Sequence, residues 1–196
     1  MKSKELVEHA YDFYASVNCY LKGFWNQKLT QSEYDRVNRQ YGYANDKYGN
    51  QKYVGTDCNA SDCICFVKCL LAGGTPKRRL SYQEMKANPL GDCTTEQFYN
   101  ALYDCVSATD TIPEGYGIAS KGHAGITLGN GLWMDCNWDG RTQNGLAIHS
   151  TNPVLEGYRV GKIPGVTYES EQPVINTEKE VLENFCNWLI AQYINR

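Results

Sequence analysis

Around Gly117 the chain changes character. Before it, apolar residues recur at helical spacing; after it they fall in short runs split by glycines. Helices first and a group of short strands afterwards make an α+β fold, with N-terminal helices packed on a small antiparallel β-sheet. Ser3 stands where a helix cap belongs, ahead of Leu6, Val7, Ala10, Phe13, Tyr14 and Val17 at helical spacing. The Tyr-rich stretch from Tyr20 to Tyr53 is poor in apolar residues and reads as a surface excursion, partly helical near Thr30 to Gln40. Cys63 to Ala72 is apolar enough for a buried helix, with Ser61 and Asp62 at its start and Gly73-Gly74-Thr75-Pro76 stopping it. Thr94 and Gln97 form a capping box for a helix reaching Val106, with Phe98, Leu102 and Val106 turned inward.

The strands expected are Gly122 to Leu128, Leu132 to Asn137, Gly145 to His149 and Tyr158 to Val160. Gly129-Asn130-Gly131 joins the first two as a hairpin, since Asn-Gly tolerates the positive φ angles of tight turns. A second capping box, Thr177 to Glu180, opens a last helix with a stripe of Val181, Leu182, Phe185, Trp188, Leu189 and Tyr193. Residues 1–168 are therefore expected to form the main domain, and residues 169–196 a linker and an amphipathic helix. That helix is expected to dock on the domain, with self-association through a second copy or docking on a further domain as the alternatives, because a bare apolar stripe that wide is a liability in water.

The 196 residues carry a net charge of −3, and Lys77, Arg78 and Arg79 make the one tight basic run. That balance argues against nucleic acid or an anionic membrane as partner, and no apolar stretch is long enough to span a bilayer. Glu5, Glu8 and Asp12 interrupt any apolar run near the start, so no signal peptide is expected. Nine cysteines, an odd number, suit a thiol-reducing compartment. The chain has neither paired Cys-x-x-Cys units nor His-x-x-x-His, and no phosphate-loop or dinucleotide fingerprint, so neither metal nor cofactor is expected.

Thiol chemistry is what the residues do suggest. A thiol nucleophile needs a setting that favours the thiolate and a base close by. Cys63 falls in the first turn of the buried helix, where free N–H groups and the helix dipole favour negative charge. Cys65 and Cys69 fit a role as small core fillers. His123, between Gly122 and Gly125 at a strand start, is the candidate base, with the glycines leaving room for substrate backbone beside the ring. The other two histidines, His9 and His149, lack a comparable setting. Asp135 lies across the hairpin from His123, and a carboxylate there can hold one imidazole nitrogen and orient the ring. Cys58, in a second Asp-Cys pair with Asp57, is the alternative nucleophile if the helix starts sooner.

Asp62-Cys63-Ile64-Cys65-Phe66-Val67-Lys68 resembles the Asp-Cys-Ser-Gly-Phe-Val signature of NlpC/P60 cysteine peptidases and amidases. Gly122-His123-Ala124-Gly125-Ile126-Thr127-Leu128-Gly129-Asn130-Gly131 resembles that family's Gly-His-Val-Gly-Ile-Tyr-Ile-Gly-Asn-Gly. Ile112-Pro113-Glu114 and Gly161-Lys162-Ile163-Pro164-Gly165 are similar to phage-type lysins in particular, and Tyr20-Leu21-Lys22-Gly23 resembles a Tyr-x-x-Gly element of the family. The resemblance runs over roughly residues 4–168. It implies a papain-like fold and Cys63 as nucleophile, preferred to Cys58 because Phe66-Val67-Lys68 follow at the family's offset. It further implies His123 as base, Asp135 as the third polar residue, and the Tyr20 hydroxyl at the oxyanion site.

The substrate it implies is the stem peptide of bacterial peptidoglycan, cut as an endopeptidase or an N-acetylmuramoyl-L-alanine amidase by a protein held in the cytoplasm until its release to the wall. The sequence departs from the family where Ser-Gly after the nucleophile becomes Ile64-Cys65. Two other readings stay open: a different Cys–His amide hydrolase or acyltransferase of the CHAP kind, and a non-catalytic wall-binding or phage structural module.

Overall fold

A computed structural model describes residues 1–41, 50–138 and 144–169 of the chain. Five α-helices are described: α1 (Ser3–Tyr14), α2 (Gln31–Tyr41), α3 (Cys63–Leu71), α4 (Tyr82–Lys86) and α5 (Thr95–Ala101). Eight strands accompany them: β1 (Asn18–Tyr20), β2 (Trp25–Lys28), β3 (Asn59–Ser61), β4 (Gly117–Ala119), β5 (Ala124–Gly129), β6 (Leu132–Trp138), β7 (Asn144–His149) and β8 (Arg159–Gly161). The class is α+β. Five strands form an antiparallel sheet in the order β7-β6-β5-β4-β8, and three form a small mixed sheet in the order β1-β3-β2.

Helix α3 is the centre of the packing. All nine of its residues are buried, because α1, β2, β5 and β6 pack around it. Leu6 and Phe13 of α1, Phe66 and Leu70 of α3, and Ile126 and Met134 of the sheet belong to one core, with Phe13 and Phe66 in edge contact at 5.9 Å. Burying each such side chain stabilises the fold by about 1.5–3 kcal/mol. The opposite face of the sheet is covered too: Ile118, Trp133 and Val160 pack under Ile112, Val154 and Tyr158. Strand β5, central and covered on both faces, therefore reads as a nearly unbroken apolar run rather than an alternating one.

Several local expectations change. Lys2, not Ser3, is the N-cap of α1, and Val17 lies beyond the helix and is exposed. The stretch after Tyr20 is more than a surface excursion. It carries β2, α2 and a second small core in which Leu21, Phe24, Leu29, Tyr34 and Val37 close over Cys19, Cys58 and Ala60. Helix α5 stops at Ala101 instead of Val106. Beyond it the backbone turns extended at Leu102, Tyr103 exchanges hydrogen bonds of 3.2 and 2.8 Å with Lys162, and Val106 donates to Val160 of β8. Pairing with the sheet wins over another helical turn.

Helix α4 carries a capping box, Ser81 with Glu84, that was present in the sequence and unused. The chain start and residues 166–169 meet: Ser3 donates to the Thr167 carbonyl at 3.0 Å, Thr167 donates to that of Met1 at 2.9 Å, and Lys2 pairs with Glu169. The final helix expected over 177–193 lies outside the described residues.

Candidate active site

Asp62 sets the start of α3. Its backbone is extended, and its carboxylate accepts the N–H of Cys65 at 2.8 Å, a standard N-cap geometry. The second carboxylate oxygen accepts the N–H of Gly23 at 2.8 Å. One side chain thus ties the Tyr20-to-Gly23 segment to the helix bearing Cys63. The preceding residue is clamped as well: Ser61 pairs with Tyr20 in the parallel β1–β3 register, and its carbonyl accepts from the N–H of Leu21 at 2.9 Å and the Cys136 thiol at 3.3 Å. Cys63 therefore sits on the first turn of α3, where the N–H groups have no intrahelical acceptor. It is 6% exposed, at the edge of the core rather than deep inside it.

The base arrives from the sheet. His123 directly precedes β5, and its ring is 23% exposed. Its Nε2 lies 2.7 Å from Oδ2 of Asp135, and Cys63 is close enough to the ring to raise its pKa. With Nε2 engaged by the carboxylate, Nδ1 is the nitrogen left for sulfur. Burial opposes a charged imidazole here, but the hydrogen bond to Asp135 and the attraction of Asp135 and nearby Cys63 outweigh it. The His123 pKa is pushed up from 6.5 to about 10. The ring therefore holds its proton at neutral pH.

Asp135 reaches His123 because of strand register. Gly125 of β5 lies directly opposite Asp135 of β6, so His123, two residues back, meets the carboxylate diagonally. The hairpin behind this register is the one expected: Asn130 and Gly131 have φ of 54° and 73°, the pair of positive angles of a type I′ turn.

The room expected beside Gly125 is different in kind. A Cβ there would meet the Met134 carbonyl oxygen at 2.5 Å and Cβ of Asp135 at 3.2 Å, so its missing side chain lets β6 approach, not substrate. Around Gly122 the space is open. Gly125→Ala is accordingly expected to destabilise the protein by about 1–3 kcal/mol through overpacking. A urea midpoint unchanged from the wild type would show that β5 and β6 can separate without cost.

Cys58 is placed elsewhere. It is fully buried in the second core beside Cys19, and its N–H donates to Thr56 Oγ1 at 3.2 Å. Cys65 and Cys69 are core residues; burial pushes both thiols up, Cys69 to about 12. Cys65 packs with Ile64 into the main core. Tyr20 is half-buried on β1, level with Ser61 in the β1–β3 register and packed against the main core.

The sequence reading passed over His149. Its Nε2 lies 3.0 Å from Oδ1 of Asp135, the oxygen not used by His123. Asn137 donates from Nδ2 to both carboxylate oxygens at 2.8 and 3.0 Å. The Asp135 side chain is only 2% exposed. Burial alone would raise its pKa, but hydrogen bonds from the two histidines and their charges hold it below the usual carboxylate range. Tyr158 completes the surroundings, its ring 6.3 Å from that of His123 and 5.5 Å from Trp133. No motif announced either residue; both come from the strand β7 and the connection after it.

Among the described residues, no cluster of three or more His, Cys, Asp or Glu side chains is arranged to hold a metal ion. Nor is any described helix long and apolar enough to cross a membrane. Compared with known protein families, curated proteins and solved structures, the chain matches none. Chemically, the arrangement is a thiol at a helix start, an imidazole close to it, and a buried carboxylate holding the far side of that imidazole. Such a set can attack an acyl carbon and return a proton to the leaving group.

Proposed function

We propose that this protein is a papain-like cysteine hydrolase of the NlpC/P60 kind that cleaves an amide bond in the stem peptide of bacterial peptidoglycan. The observation that carries the chemistry is the grouping of Cys63, His123 and Asp135, with Cys63 near enough to act on the ring and the ring 2.7 Å from the carboxylate. The papain-like assignment is supported by a nucleophile helix packed on an antiparallel sheet that supplies the base and its orienter. The substrate rests on the resemblance around residues 62–68 and 122–131.

In the reaction the Cys63 sulfur, as thiolate, attacks the amide carbonyl carbon, and the π electrons move onto oxygen. The helix-start N–H of Cys63 stabilises that oxyanion, together with the Tyr20 hydroxyl. Collapse of the intermediate breaks the C–N bond, and the His123 imidazolium gives its proton to the departing amine. Neutral His123 then takes a proton from water as that water attacks the thioester, which releases the acid and restores the Cys63 thiolate beside the His123 imidazolium. Asp135 keeps the imidazolium oriented throughout.

Mass spectrometry of digests of several purified cell walls tests the reading. New free amines are expected with the wild-type protein, as cut peptides for an endopeptidase or as intact stems for an amidase. If no wall yields any product, the peptidoglycan assignment is wrong, and acyl transfer or another amide substrate takes its place.

A further inference from the structure

We propose that His149 is a positioning residue that acts through Asp135, locking the carboxylate in the rotation that presents Oδ2 to His123. The inference rests on the thiol hydrolase reading for its kinetic consequences, but its geometric core stands apart from any substrate.

A carboxylate has two equivalent oxygens, so rotation about its terminal bond can lose the contact to His123. Asn137 does not prevent this, because its Nδ2 contacts both oxygens, at 2.8 and 3.0 Å. His149 holds the rotation instead. It holds Oδ1 at 3.0 Å while His123 takes Oδ2 at 2.7 Å, so the carboxylate is gripped at two points by rings from either side.

His149 is itself held. It lies opposite Trp133 in the β6–β7 register, and the two rings stack at 4.0 Å with 21° between their planes. The indole is buried, and its Nε1–H donates to the Thr151 carbonyl at 3.0 Å, which fixes the platform. The imidazole is 28% exposed, so it meets solvent on one edge and Asp135 on the other.

The charged groups facing His149 come from three elements. Asp135 of β6 and Glu156 of the β7–β8 connection favour its imidazolium, and His123 ahead of β5 opposes it. The hydrogen bond to Asp135 is the largest influence, burial works against it, and the net shift is upward. A ring N–H donor on Oδ1 strengthens the hold on a buried carboxylate that is otherwise costly to keep ionised.

Three variants of the full chain test the proposal: His149→Leu, His149→Gln and His149→Ala. Glutamine can place an amide N–H near the position of Nε2, and the other two cannot. In NMR pH titrations of the ring protons, the His123 midpoint is expected to fall in His149→Leu and to recover in His149→Gln. His149→Ala replaces the leucine variant if that one does not fold.

On wall substrates, His149→Leu is expected to lower kcat roughly tenfold with KM little changed, and to move the alkaline limb of kcat/KM to lower pH. Glutamine should restore both. A folded His149→Leu with the wild-type His123 midpoint overturns the proposal, as does a leucine variant with wild-type kcat and limb. If the midpoint moves as expected but no form of the protein hydrolyses any wall, the positioning role stands and the hydrolase reading falls.

Discussion

Cys63→Ala is expected to abolish hydrolysis, with kcat falling by on the order of 10⁶, the scale seen when a nucleophile that acts as a unit with its base is removed. The fold should survive. Asp62 caps α3 through Cys65 and not through Cys63, and alanine is a good helix former at the first turn. The loss should therefore appear in turnover with a melting temperature close to the wild type. Cys58→Ala is the internal control. Its sulfur is sealed in the second core beside Cys19, so deleting it should cost stability, about 1 kcal/mol for the small cavity, and leave turnover in place. The opposite pattern, a dead Cys58→Ala and an active Cys63→Ala, would overturn the assignment of the nucleophile.

Asp135→Asn is expected to slow turnover by about 10²- to 10⁴-fold without eliminating it, since the Cys63–His123 pair remains while the orienting charge is lost. The pH dependence is the sharper readout. His123 titrates at about 10 in the native protein, raised from 6.5 by Asp135 and Cys63 against the opposing effect of burial. Removing the carboxylate charge lowers that value, so the alkaline limb of activity should move to lower pH.

Stability follows the same linkage. A raised imidazole contributes stability that is fully present below 6.5 and is lost as pH rises through about 10. The lowered carboxyl contributes above its ordinary value of 3.8 and loses its contribution as pH falls through the native one. The stability gap between wild type and Asp135→Asn should thus be widest from about pH 4 to 6.5 and should narrow on both sides. A gap independent of pH, or an alkaline limb that stays in place, would mean that Asp135 does not charge the ring.

The candidate triad was legible because each member has a local cause. Asp62 and the apolar run behind it dictate a capped buried helix, and that puts Cys63 on the first turn. Asn130-Gly131 dictates a two-residue turn that brings β6 back alongside β5, and an irregularity between Thr127 and Gly129 then shifts the register so that Asp135 lies opposite Gly125. Cap chemistry and turn chemistry act over three or four residues, so they can be read without knowing the rest of the fold.

The same holds for the change of texture near Gly117, which separates helices α1 to α5 from the five-stranded sheet. It placed β5 and β6 to within a residue or two at their ends, though strand β4 was not singled out. Helix α4 likewise has a local signal, the capping box of Ser81 and Glu84.

What the sequence determined by itself is therefore local: where helices start, where one hairpin turns, and which thiol lies at a helix start. Tertiary structure alone decided the rest. His149 joins Asp135 because β7 pairs with β6 in the register that sets it opposite Trp133, a match summed over six strand positions. A one-residue slip would turn its ring to the other face. Helix α5 ends at Ala101 because β8 offers its edge to Tyr103 and Val106. Three-residue strands such as β1 and β3 form because each supplies the other's backbone partners. Long-range pairing is a property of two segments at once, so neither segment carries the information alone.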